Sequence, residues 1–322
     1  MPPLRRTRSM LTLTAALALS PLAAHAQSIP TTLTFQPAPT EPAANPPAAP
    51  STAESTASAP PVIPSSVDPT WKVSIEPIVW YMAPSGDLKL PASGAATPSN
   101  KVDIADLDLD NPRLSPAGSF RIASGRWTFA FFGAAYDTDH TNTVNQSFQL
   151  GSLSFAPGDQ AKTEMTLGFY EVTAGCRIFD YDWRANSTHP ETAEQALFVL
   201  SLYGGVLMQD VDIMVQQLGT QFPDSTYSNL FVQPIIGLDF HFAFADQFAI
   251  DLRLSGGGLP LDDESSASVD IAVAFTWQAT DHIGLQIGWR QIAYWLSDGD
   301  GQDEFEYNGA VAGLFAGVTL RF

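Results

Sequence analysis

The chain has 322 residues, and 15 Lys and Arg against 34 Asp and Glu give it a formal charge of −19. That balance argues against a nucleic-acid binder, which needs a basic face, and a single Cys excludes an internal disulfide or a Cys-rich metal site. Charged residues make up only 15% of the chain, yet the mean hydropathy of +0.01 is far too polar for a bundle of membrane helices.

In chain order, residues 1–26 read as a cleaved secretory signal. Arg5, Arg6 and Arg8 form a basic start, Met10 to Leu22 is an apolar stretch too short to span a bilayer, and Ala24-His25-Ala26 is an A-x-A cleavage site. Residues 27–70 hold 11 of the 25 prolines, no Lys or Arg, and otherwise mostly Ala, Ser and Thr. Such a segment buries too little apolar surface to offset its ordering entropy, so it is expected to be a disordered spacer.

From Trp71 to Phe322 a period of two takes over. Phe248, Ile250, Leu252 and Leu254 share one face of a strand, with Ala249, Asp251, Arg253 and Ser255 on the other. The same pattern runs through Val269–Trp277 and Ile283–Trp289. Ten strands are expected, over 71–82, 115–124, 127–138, 163–179, 196–209, 229–242, 248–257, 268–279, 283–296 and 307–322, with eight to twelve as the bounds. Long connections alternate with short ones such as Gly125-Arg126 and Thr280–His282, although 180–195 breaks the rhythm. The expected fold is all-β, a transmembrane antiparallel up-and-down barrel, because a sheet in hydrocarbon must close to pair every backbone group.

Aromatic residues are expected to form two belts at the membrane surfaces. Trp71, Trp127, Tyr181, Trp183, Phe242, Phe248, Trp277 and Phe322 would make the inner belt, and Trp80, Tyr81, Tyr136, Tyr227, Tyr294, Trp295 and Tyr307 the outer one. The last strand, Leu314-Phe315-Ala316-Gly317-Val318-Thr319-Leu320-Arg321-Phe322, resembles the C-terminal strand of bacterial outer-membrane β-barrel proteins, which ends in Phe with apolar residues at alternating positions. The start Trp71 to Trp80, with its P-x-x-W, and the Gly125-Arg126-Trp127 turn are similar to a poorly characterised small-barrel group of that family. The resemblance implies an outer-membrane location among lipid and lipopolysaccharide. It also implies recognition by the barrel assembly machinery through Val318, Leu320 and Phe322, and it supplies no activity.

Ten strands should enclose a lumen close to filled by side chains. Glu76, Arg121, Glu171, Arg177, Asp239, Asp251, Arg253, Asp270, Arg290 and Arg321 fall on the polar faces, and ion pairs among them would cross-link it. The function expected is therefore a structural or surface-interaction role with a filled lumen. A narrow, charge-lined passive pore is the second reading, and a hydrolase at the outer rim the third. For the last, His140 beside Asp137 and Asp139 is the one candidate, with no Ser or second carboxylate motif to complete it. No catalytic residues, cofactor or metal site are assigned. Asp298-Gly299-Asp300-Gly301-Gln302-Asp303 lacks the sixth-position Gly and the spaced Glu of a calcium loop. Cys176, on the face of Val172, Ala174 and Ile178, is expected to face lipid or pack as a small apolar residue.

Overall fold

The computed structural model describes residues 71–92, 99–183, 196–245, 247–261 and 263–322. The expected signal segment 1–26 and spacer 27–70 lie outside them. Thirteen strands occur in chain order: β1 (Lys72–Lys89), β2 (Val102–Asp103), β3 (Arg113–Ser124), β4 (Trp127–Thr143), β5 (Phe148–Leu150), β6 (Leu153–Phe155), β7 (Gln160–Asp182), β8 (Ala196–Gln217), β9 (Ser225–Phe244), β10 (Phe248–Pro260), β11 (Glu264–Gln278), β12 (Ile283–Asp298) and β13 (Phe305–Arg321). Ten of them, β1, β3, β4 and β7–β13, form one antiparallel sheet, and β13 pairs back onto β1 to close it. Each of the ten expected strands has its counterpart. The pairs β1–β2 and β5–β6 are small additions in the outer connections.

Following directly opposed residues once around the ring gives the stagger. The row Phe231–Gln209–Phe169–Ala134–Ala117–Ile78–Gly317–Gln286–Thr276–Ala249 returns to β9 at Ala243, 12 residues from its start. Ten strands with that shear lie at about 40° to the barrel axis. The closing seam is tight, since a Cβ on Gly313 would sit 1.7 Å from the Tyr81 carbonyl oxygen. At the inner end, where Trp71 and Phe322 lie, Gly125 adopts φ +60 in the two-residue β3–β4 turn, which a side chain would resist.

Several strands run well past their expected outer ends. β8 reaches Gln217 rather than 209, and β7 starts at Gln160 rather than 163. The alternation changes meaning part-way up. In the lower part of β8 the outward residues are apolar, among them Leu202 and Val206. Above Met208 the outward residues are Asp210 and Asp212, while Val211, Ile213 and Val215 are buried inside. The outer part of the sheet is therefore a wall with charged residues outside and an apolar core inside, standing on a band whose outward residues are apolar.

That inversion corrects the outer aromatic belt. Trp80, Tyr136, Tyr294 and Tyr307 are fully buried inside the barrel, and Tyr227 is half-buried, stacked on Phe305 at 3.6 Å between ring centres. Only Tyr81 and Trp295 of that set are exposed on the outer surface. The inner set stands on the outside, with Trp71, Trp127, Tyr181, Trp183, Phe242, Trp277 and Phe322 exposed and Phe248 stacked between Phe244 and Phe275.

Candidate functional site

The inward faces divide the lumen into two storeys. At the boundary lies a raft of ion pairs. Glu171 on β7 accepts hydrogen bonds from Arg253 on β10 and from Arg290 on β12, the latter at 3.2 Å. Arg290 also forks onto Asp270 of β11, its Nε 2.6 Å from Oδ1. Two aromatic rings carry the guanidinium faces: Arg253 lies 4.1 Å from the Tyr203 ring centre and Arg290 lies 4.2 Å from that of Phe132. The Arg253 Nε donates to the Tyr203 hydroxyl at 2.8 Å. Because β7 and β12 are five positions apart in a ring of ten, the Glu171–Arg290 pair joins opposite walls.

Below the raft is the inner storey, lined by small residues and a few half-exposed charged ones. His241 Nδ1 lies 2.6 Å from Asp251, the Ser119 hydroxyl donates to Glu76 at 2.6 Å, and Asp239 is 3.9 Å from Arg253. Arg121 stands in the field of Glu76 and Asp239. The structure thus brings together Glu76, Arg121, Glu171, Asp239, Asp251, Arg253, Asp270 and Arg290. Arg177 and Arg321 stay apart, exposed at the inner mouth, because their strands have by then reached the end of the ring. Phe322 is exposed on the outer surface, with Val318 and Leu320 on the same face of β13. Cys176 sits between exposed Val172 and Ile178, as expected.

Above the raft the lumen is apolar. Phe169 of β7 meets Tyr294 of β12 with ring centres 5.9 Å apart, so these opposite walls touch here too. Among the described residues, the buried charged side chains are Glu171, Asp270 and Arg290, all of them in the raft. The outer end of β1, with Leu88, and the outer connections, with Leu90, Ile104, Leu107, Leu150 and Phe155, complete the plug. Within this storey several fully buried polar atoms have no hydrogen-bond partner: Trp80 Nε1, Gln233 Oε1 and both amide atoms of Gln209. Left dry, each would cost about 1–3 kcal/mol.

At the outer rim His140 pairs with Asp108, Nδ1 to Oδ2 at 2.6 Å, and not with its chain neighbours. Asp137 accepts from Thr166, and Asp139 lies 3.8 Å from Arg113. Asp298 of the acidic run accepts from Tyr227 at 2.8 Å. Burial and that bond hold the Tyr227 phenol above its usual range.

Sequence reasoning missed Tyr203, Phe132, Gln209, Gln233 and Ser268, and it placed Trp80 and Tyr294 in the outer belt rather than in the lumen. The signal was there for some of them. Trp80 is four residues from Glu76, Tyr294 four from Arg290 and Ser268 two from Asp270, so each shares a strand face with an assigned lumen residue.

No family model matches the chain, and no curated protein matches its sequence. Solved structures do resemble it. The outer membrane protease OmpT of Escherichia coli is 9% identical, with a TM-score of 0.42, over 80% of this chain and 98% of its own. A Pseudomonas aeruginosa FadL homologue is 8% identical with a TM-score of 0.27, over 78% and 90%. The Pseudomonas putida toluene transporter TodX is 8% identical with a TM-score of 0.25, over 78% and 90%.

Proposed function

We propose that the protein is an integral outer-membrane barrel with a shut lumen, acting structurally or through its outer surface, and neither as an open pore nor as an enzyme. The observation that carries this is the double contact between β7 and β12, Glu171 with Arg290 and Phe169 with Tyr294. A solute would have to separate a desolvated ion pair and two packed rings. The apolar outward band and the exposed aromatic residues at its inner edge support the membrane location. The acidic wall that stands above the band, with Asp137, Asp139, Asp210 and Asp212 on its outside, supports a surface role. Planar-bilayer recordings of the purified protein test the shut lumen. Rare or no conductance is expected, and steady nanosiemens-scale steps would favour the narrow pore instead.

A further inference from the structure

Two independent features meet at one side of the outer storey. The first is a break in the wall. The β9–β10 ladder ends at the pair Ile235–Gly257. Its next residue on β9 is Pro234, which has no N–H to offer, and β10 runs there through Gly256-Gly257-Gly258. Beyond that point Ser225–Pro234 pair with β8 alone. Just below the break, the outer surface carries a shallow apolar groove lined by Leu202, Ile236, Leu238, Leu254 and Val269.

The second feature lies immediately behind the break. Gln233 is the inward neighbour of Pro234. Its amide nitrogen donates to Ser268 Oγ, and its oxygen has no partner. Gln209 opposes Phe231, two residues further along β9, and neither of its amide atoms is bonded. Gln209 and Gln233 are at most 1% exposed, and so is Tyr294, which opposes Ser268. These groups form a polar focus in an apolar, aromatic setting, with Phe169 and Phe231 flanking Gln209 on its two neighbouring strands. Such a setting suits a ligand with an apolar body and one or two polar atoms.

We propose that this storey is a binding site for a small uncharged molecule with an aromatic or apolar body and one hydroxyl or amide, reached from the lipid through the β9–β10 seam. Gln209 both donates to and accepts from the polar group, and Phe169, Phe231 and Tyr294 pack the body. A charged ligand is excluded because the raft charges already satisfy one another and, among the described residues, the storey above holds no buried counter-ion. The site rests on the membrane-embedded, shut barrel proposed above, but it is read by a different measurement.

The full chain in lipid nanodiscs would be titrated with 1-naphthol by calorimetry, with empty nanodiscs as the blank. Saturable one-to-one binding is expected, weakened at least tenfold by Gln209→Leu. Because that substitution removes two unpartnered atoms, the variant should still fold and resist heat at least as well as the parent. The seam is tested with Val232→Cys and Pro260→Cys in a Cys176→Ser background, stapled by a short bifunctional methanethiosulfonate. Uptake should slow at least tenfold and recover on reduction. No binding above the blank, or equal binding by Gln209→Leu, would overturn the site and assign the unpartnered atoms to buried water. Equal uptake by stapled and reduced protein would overturn the lateral route. Absent conductance with absent binding would leave the shut barrel standing and remove only this proposal.

Discussion

At the scale of single residues, Glu171 is the carboxylate that ties two arginines together in the lumen. It is 2% exposed and is the common acceptor for Arg253 and Arg290. Replacing it by Gln leaves two guanidinium groups short of charge in a dry setting, which should cost about 3–5 kcal/mol. Urea unfolding in vesicles, followed by circular dichroism, would measure that loss. Glu76→Gln is the contrast: the residue is half-exposed and bonded to Ser119, so its loss should cost no more than about 1 kcal/mol. Tyr227 supplies a pH signature outside the apolar outward band. Its phenol ionises at higher pH in the folded protein than the ordinary 10.0, so its contribution is complete below pH 10.0 and falls as the pH rises beyond it. Melting temperatures between pH 9 and about 11.5 should drop more steeply in the parent than in Tyr227→Phe. Equal slopes would show that this phenol does not matter.

At the scale of elements, what the sequence made legible was the period of two, and what it obscured was where the meaning of that period reverses. Ten strands follow from alternation in segments such as Phe248–Leu254, because a one-residue slip would turn every side chain to the wrong side. The outer parts of β7 and β8 instead read as loops, since Asp210 and Asp212 are charged. There the charged side faces water and Val211, Ile213 and Val215 build the core. The outer aromatic belt is corrected for the same reason: Trp80, Tyr136, Tyr294 and Tyr307 lie near strand ends but on the inward face. Most of the raft was legible, because its carboxylates and arginines lie on polar faces. The cross-lumen pairing was not, because it depends on the shear of 12 fixed by the register. Register also gives a prediction for β13. Gly313→Val places a side chain where Tyr81 has its backbone, so β1 and β13 should fail to zip. The heat-modifiable band on an unboiled gel should disappear, whereas Leu314→Val, which points outward, should keep it.

At the scale of the whole molecule, everything depends on the first and last strands meeting in one ring, since only then does every strand of the ring have a neighbour on both sides. Tyr81 and Leu314 are directly opposed across that seam and both are exposed on the outside, although they are 233 residues apart in the chain. Opposed Cβ atoms in such a pair are roughly 4.5–5.5 Å apart, close enough for a disulfide to form with a small shift. The most direct measurement is therefore oxidation of the Tyr81→Cys, Leu314→Cys variant in a Cys176→Ser background, reconstituted in vesicles. A closed ring predicts near-complete intramolecular cross-linking, seen after boiling as a band of altered mobility that dithiothreitol restores. Folded, vesicle-inserted protein that yields no such cross-link would contradict closure.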